Sequence, residues 1–440
     1  MGEPKGAGKG AAVNCAVRER TYICIDLKSF YASVECADRG LDPFKTDLVV
    51  ADPERSANTI CLAITPAMKA KGVRNRCRIR EIPDGMAYIA ARPRMRRYME
   101  VSAQIYRIYL EFVSSEDIYP YSIDECFVDA TAYLRLYGTG ARSFASRLIE
   151  QVRRETGITA TAGIGPNLFL CKIALDISAK HADDGIGMLD ERSFRRDIWF
   201  HHPITDIWGI GPGIAGRLAS RGIYDLAGVC AERPAVLRRM FGKNAEYLID
   251  HAWGLEPCTI AQVRAYEPHT HSMTNGQVLM RDYSFDEART VLREMIYGSC
   301  MDLAEKRLAC DSVGLYVGYC VHVDRDDAAS AHAGGQRKLG RVTASERHIS
   351  EALLALFDET VSRTAHIRRV NIVLGGIVPD RMVTHTLFDD AEADRREEEL
   401  ARAMVAVRGR FGANALLRGT SLKPGANARE RNLQVGGHHG

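Results

Sequence analysis

An α+β fold with two separate βαββαβ units is predicted, on three observations. Short apolar runs ended by turn residues alternate with stretches of helical periodicity. The same element order occurs twice along the chain. A glycine-punctuated run of short helices stands between the two copies. At 440 residues the chain exceeds what one hydrophobic core usually supports, so three or four domains are expected.

The first strand is Tyr22-Ile23-Cys24-Ile25, stopped by Asp26, and Phe30, Tyr31, Val34 and Ala37 recur behind it at helical spacing. From Lys69 to Arg97 there are ten Lys and Arg against two acids. Such a run is a solvated face in most proteins, and a phosphate-facing surface where nucleic acid is the partner. A helix at about 95–113, a strand pair at about 118–130, a helix at about 141–156 and a strand near 158–164 complete the first unit. With the basic insert removed, the order is that of a split βαβ sheet with helices on one face. From Pro203 to Trp253 short helices turn at Gly209, Gly211, Gly213 and Gly222, and residues 257–275 are polar and proline-broken, as a linker is.

The second unit opens with the strand Val278-Leu279-Met280. Ser284-Phe285-Asp286-Glu287 reads as a capping box for a helix to about Leu308. Ser312–Val323 and Lys338–Thr343 read as strands, Ser345 as the cap of a helix to about Ser362, and Arg368–Gly375 as the last strand. Leu400, Met404, Val407 and Phe411 mark one face of a closing helix. The Gly- and Lys-rich residues 1–20 read as a flexible tail.

Composition narrows the class. There is no run of eighteen apolar residues and no apolar stretch at the N-terminus, which argues against a membrane span or an export signal. Twelve cysteines occur singly with no C-x-x-C pair, as in a reduced, cytoplasmic protein. The net charge of +3 announces no nucleic-acid partner, so any such partner must be met by local patches.

Asp26 closes a buried strand, and Ser122-Ile123-Asp124-Glu125 falls where the strand pair turns. In a β-α-β-β sheet the first strand lies beside that pair, so three carboxylates can converge. Like charges at close range repel, and burial adds a cost unless cations intervene. Oxygen ligands without His or Cys favour Mg²⁺. On spacing alone, the same acids could equally cap turns or pair with nearby Arg.

C-I-D-L-K-S-F-Y-A-S-V-E (24–35), S-I-D-E-C-F-V-D (122–129) and T-A-G-I-G-P-N-L-F-L-C-K-I-A-L-D-I-S-A-K (161–180) resemble, in order, three motifs of the Y-family lesion-bypass DNA polymerases, closest to the UmuC-like bacterial branch. The resemblance implies a right-hand polymerase. Its palm would be 21–36 and 96–200, its small fingers 37–95, and its helix-hairpin-helix thumb 201–256. A linker (257–275), a little finger with the second βαββαβ unit (276–385) and a C-terminal clamp-motif candidate, helix and tail (386–440) would follow. It also implies template-directed addition of dNTPs to the 3′-hydroxyl of a primer-template DNA with two Mg²⁺ ions, in DNA damage tolerance.

Carried over position by position, Asp26, Asp124 and Glu125 match the family's catalytic, metal-binding acids, with the Leu27 carbonyl as a further ligand. Tyr31 matches the steric gate beneath the incoming sugar. The Ser29 and Phe30 amides, Lys69 and Lys172 match triphosphate contacts, although Pro66 stands where relatives carry a tyrosine and Lys28 where many carry a second acid. Gly209, Gly211 and Gly213 match the DNA-contacting hairpin. Residues 268–385 hold fourteen basic and fifteen acidic residues, so DNA contacts there fall to local clusters: Arg337, Lys338 and Arg341, and Arg368 and Arg369. His385-Thr386-Leu387-Phe388-Asp389-Asp390 resembles a degenerate sliding-clamp peptide, with Leu387 and Phe388 as the inserting pair. Two alternatives are a nucleotide cyclase with a similar palm and a non-catalytic mutagenesis scaffold; the scaffold tends to lose the acids kept here.

Overall fold

The computed structural model describes residues 20–52, 54, 57–267, 271–320, 332–383, 390–436 and 438–439. It divides into two compact units, Met1–Arg92 with Arg97–Tyr266, and Pro93–Arg96 with Glu267–Gly440.

In the first unit β1 (Tyr22–Leu27) leads into α1 (Phe30–Ala37), β2 (Leu48–Val50), β3 (Ala63–Ile64), α2 (Pro66–Ala70), β4 (Ile89–Ala91) and α3 (Met95–Leu110). Next come β5 (Ile118–Pro120), β6 (Glu125–Asp129), α4 (Thr131–Leu136), α5 (Ala141–Thr156), β7 (Ala160–Gly165), α6 (Leu168–Asp176) and β8 (Ile186–Met188). The main sheet runs β5-β6-β1-β7-β8, with β1 antiparallel to both β6 and β7. That is the arrangement the βαββαβ reading requires. The three-residue β8, parallel to β7, is too short to show periodicity in sequence.

Two glycines set how closely α6 approaches the sheet. A Cβ on Gly163 would lie 2.1 Å from the Cys171 carbonyl oxygen, and one on Gly165 would lie 2.5 Å from the Cys171 nitrogen. Without them the helix could not press its middle, and with it Lys172, onto β1 and β7. The basic insert folds as a separate small sheet, β3-β2-β4, over a core of Val49, Cys61, Ile64, Met68 and Val73.

The helices α7 (Glu191–Asp197), α8 (Pro212–Ala219), α9 (Leu226–Ala231), α10 (Pro234–Phe241) and α11 (Ala245–Ala252) follow the glycine-punctuated pattern. Leu218, Leu226, Leu237 and Leu248 share one apolar cluster with Phe169 and Ile173 of α6. The helical module therefore shares its core with α6 and lies within the first compact unit.

Within the expected linker 257–275, where the two compact units also meet in sequence at Tyr266/Glu267, a short helix forms. Thr259 and Gln262 form a capping box for α12 (Ile260–Ala265). Ile260 is buried against Tyr22, Phe127 and Leu168, and Arg264 donates to the Ile118 carbonyl at 3.2 Å. One buried isoleucine in a polar stretch gives no periodic signal.

The second unit contains β9 (Ser272–Tyr283), α13 (Phe285–Lys306), β10 (Leu308–Tyr319), β11 (His332–Thr343), α14 (Glu346–Thr360), β12 (Ile367–Gly375) and β13 (Val378–Pro379). It ends in α15 (Ala391–Phe411), α16 (Ala428–Arg431), β14 (Gln434–Val435) and β15 (His438–His439). The sheet order is β11-β10-β12-β9. Val313, Leu315 and Val317 alternate with Val370, Ile372 and Leu374 to bury one face beneath α13 and α14. Residues between them, such as Tyr316 and Arg369, point to the other face. The Ser284–Glu287 capping box forms as expected. Ser345 sits at the start of α14 but does not cap it; its hydroxyl donates to Glu397 Oε2 at 2.7 Å.

α15 belongs to this unit through Asp394, which accepts from Arg341 at 3.1 Å and Arg347 at 3.5 Å. Of the four residues that mark its apolar face, Leu400, Val407 and Phe411 are exposed. Past Gly412 the chain crosses α13. There the buried Glu294 carboxylate accepts from the Asn427 and Ala428 amides at 2.8 and 3.2 Å and caps α16 from another element. Leu387 and Phe388 lie outside the described residues.

Candidate active site

The β1–β6 register sets Asp26 directly opposite Glu125, and the Leu27 amide donates to the Asp124 carbonyl at 2.9 Å. The expected convergence of the three acids is therefore met. Ser122 shapes the turn that carries two of them. Its hydroxyl donates to Asp124 Oδ1 at 2.7 Å and accepts from the Asp124 and Glu125 amides at 3.2 and 3.0 Å.

Electrostatics report the crowding. Burial, reinforced by the charges of Asp124 and Glu125, pushes the Asp26 carboxyl up to about 7. Burial also lifts Glu125, against the pull of Lys172. Among the described residues, no three carboxyl, imidazole or thiol groups close into a finished ion cage. Instead Lys172 Nζ bonds Glu125 and, at 2.8 Å, Asp176. Burial alone would lower Lys172; its two acidic partners hold it above the usual lysine value. One buried ammonium thus offsets part of the charge of the acids, and the excess left on Asp26 is relieved by a proton or by a further cation. Hard oxygen donors with unrelieved negative charge fit a divalent ion such as Mg²⁺.

The sign of the pH dependence follows. Between the ordinary carboxyl value of 3.8 and about 7, the folded protein holds a proton on Asp26 that the unfolded chain does not. Asp26 therefore lowers stability as pH rises through that window, and ion binding must displace the proton. Calorimetry in buffers of different ionisation enthalpy should show close to one proton released per binding event at pH 6 and almost none at pH 8. Equal release at both would contradict the assignment.

Tyr31 lies at the same mouth: its phenol is raised by burial and then by the Asp124 charge. Its ring stacks on Tyr98 with centroids 4.6 Å apart and planes at 20°, and the Tyr98 hydroxyl donates to buried Glu35 at 2.8 Å. Tyr98 is thus the platform under the Tyr31 ring, and no motif marks it, since it lies 67 residues further along the chain. Ser29 holds φ 49° at the start of α1, and its buried Oγ has no hydrogen-bond partner among the described residues. Such left-handed strain in a non-glycine residue is concentrated at functional sites.

Lys69 is lowered by burial, with Asp26 raising it and Lys180 lowering it further. It therefore shares one field with both. Lys180 is the last residue of the third motif. Arg76, another non-glycine residue at positive φ (56°), has its charge felt by Tyr31. The groove beside the acids, lined by Leu27, Ser102, Tyr106, Asp124 and Glu125, measures about 440 Å³. A larger cavity of about 540 Å³ in the second unit, lined by Met301, Thr343, Glu397 and Met404, lacks that convergence of active-site acids.

In the hairpin loop only Gly209 needs to be glycine for its backbone, at φ +87°. Nothing lies within 4 Å of a Cβ built on Gly209, Gly211 or Gly213, so the approach to that backbone is open. The basic cluster of the second unit is split by the pleat. Lys338 and Arg369 lie on the face away from the helices, whereas Arg337 pairs with Glu359 of α14 at 2.6 Å. Arg341 is nearly buried, between Asp394 and His348. Arg337 and Arg341, both expected as DNA contacts, are thus placed on the helix-covered face. Arg368 pairs with Asp282 at 3.3 Å.

The impB/mucB/samB family model matches residues 25–176, and its C-terminal domain model matches residues 270–387. The chain is 31% identical to "DNA polymerase IV 2" of Bacillus subtilis over 428 residues, covering 96% of this chain and 100% of that one. It is 28% identical to the "Putative UV-damage repair protein UvrX" of the same organism, covering 95% and 97%. A solved Y-family DNA polymerase chimera superposes with a TM-score of 0.59 at 18% identity, covering 82% of this chain and 99% of that one, which bears on the fold alone. With Asp26, Tyr31, Asp124, Glu125 and Lys172 all inside the first matched segment, the chain belongs to the impB/mucB/samB family, whose members among its relatives are named as DNA polymerase IV.

Proposed function

We infer that the protein is a template-directed DNA polymerase of the lesion-bypass class, acting in the cytoplasm and adding dNTPs to the 3′-hydroxyl of a primer. One observation carries the reading: Asp26, Asp124 and Glu125 crowd together at the mouth where Tyr31 lies. Two Mg²⁺ ions held by these acids and the Leu27 carbonyl would activate the attacking hydroxyl and neutralise the leaving pyrophosphate.

The chain's own groups do the rest. Lys69, Lys172 and Lys180 supply positive charge for the triphosphate, and the Ser29 and Phe30 amides at the start of α1 can meet its oxygens. Tyr31, held flat by Tyr98, fills the space a 2′-hydroxyl would need. The Gly209–Gly213 loop presents amides to the DNA backbone, and Lys338 and Arg369 add contacts without sequence preference. Among the described residues no helix is long and apolar enough to cross a membrane. On sequence alone, Leu387 and Phe388 are assigned to a sliding clamp, and replacing both by alanine should lower processivity with the clamp and leave synthesis without it unchanged.

Primer extension on intact and lesion-bearing templates tests the reading. Template-directed extension through the lesion is expected, and formation of cyclic nucleotides without extension would overturn it. Lys172→Ala should raise the KM for dNTP roughly tenfold, about 1.4 kcal/mol. In the second unit, Lys338→Ala and Arg369→Ala should each weaken DNA binding and lessen its salt dependence by about one ion. Arg341→Ala should instead leave Asp394 buried without its main partner and cost about 3 kcal/mol of stability, read as a lower melting temperature. The reverse pattern would restore Arg341 to the DNA face.

A further inference from the structure

We propose that Trp208 is a positioning residue for the acid-bearing turn, linking the hold of the hairpin loop on DNA to the geometry of Asp124 and Glu125. The proposal rests on the polymerase reading above.

Trp208 immediately precedes Gly209, the residue that turns the loop. Its indole N–H donates to the Tyr121 hydroxyl at 3.1 Å, and the two rings meet edge to face at 5.9 Å. Tyr121 is the residue just before the acid turn. Its amide donates to the Glu125 carbonyl at 2.9 Å, and the Ser122 amide reaches the same oxygen at 3.1 Å. Phe127, two residues beyond Glu125, lies against both rings, at 5.7 Å from Tyr121 and 6.2 Å from Trp208.

On its other side Trp208 faces His251 at 6.1 Å, and that imidazole is stacked on Phe169 at 4.1 Å and bonded to Glu256 at 2.9 Å. The indole therefore bridges the packed helical core and the turn. Tyr121 is 44% exposed. Burial does not fix its ring, so the bond from Trp208 and the contact with Phe127 must do so. A phosphate bound at the Gly209–Gly213 amides would hold the loop, and with it Trp208, Tyr121 and the turn. Displacement of reacting groups by about an ångström can cost up to about a hundredfold in rate.

Trp208→Phe keeps an aromatic ring and removes the N–H; Tyr121→Phe removes only the acceptor. Each should lower kcat for single-nucleotide addition about five- to tenfold, the worth of one hydrogen bond. The KM for dNTP, the Kd for primer-template and the melting temperature should stay within about twofold or a few degrees of wild type. The double variant should be no slower than the slower single, because both remove one interaction. Mn²⁺ affinity without DNA, followed by electron paramagnetic resonance, should fall about threefold in each variant as the acids lose their alignment. Unchanged kcat in Tyr121→Phe, or multiplying defects in the double variant, would overturn the proposal. A wild-type protein that fails to extend primers would instead defeat the polymerase reading itself.

Discussion

Alanine at Asp26 or at Asp124 is expected to abolish nucleotide addition, with a loss of about a thousandfold or more, equivalent to about 4 kcal/mol of transition-state stabilisation. Affinity for primer-template DNA should change by less than about threefold, because the amides of the Gly209–Gly213 loop and the cations Lys338 and Arg369 do not depend on these carboxyls. Asp26→Ala carries a second consequence with the opposite sign. The Asp26 carboxyl is raised to about 7 by burial and by its two acidic neighbours, so its charged form is a burden on the ion-free fold. Removing it should raise the melting temperature at pH 8 without divalent ions, while activity disappears. A variant that keeps synthesis, or that loses stability and activity together, would show Asp26 to be a structural acid.

Tyr31→Ala is expected to admit ribonucleotides, lowering discrimination against them by about a hundredfold or more, while addition of dNTPs changes by less than about tenfold. Discrimination by collision needs a wall that does not yield. Tyr31 is one, because it is stacked on a fully buried Tyr98 whose hydroxyl is fixed to Glu35. Tyr98→Ala should therefore loosen selectivity in the same direction and by less, since the gate ring remains but can tilt. Competition between a dNTP and its ribonucleotide at one template position measures both. Unchanged sugar preference in Tyr31→Ala would remove the gate role.

The legible parts of the chain were those where one element carries its own pattern. The first strand with its terminal Asp26, the helix Ala141–Thr156 and the Ser284–Glu287 capping box each have a local cause: an apolar run, a 3.6-residue period or a cap. The neighbouring of β1 and β6 made a convergence of the three carboxyls legible, but spacing alone left turn-capping open, and the resemblance of the motifs decided their reading. The hidden parts depend on distant partners. Tyr98 supports Tyr31 across 67 residues, Ile260 packs where only polarity was visible, and Glu294 caps α16 from α13. Arg337, Lys338 and Arg341 looked like one cluster because adjacency in sequence hides the strand pleat. Their partners, Glu359, Asp311 and Asp394, show that only Lys338 belongs to the open face.

The most direct test of the acid cradle is a count of divalent ions in the protein–DNA–dNTP complex, using Mn²⁺ with a primer lacking its 3′-hydroxyl. Two ions per wild-type complex, and fewer than two in Asp124→Ala with DNA still bound, is the expected result. An ion count that is the same in wild type and Asp124→Ala would contradict it.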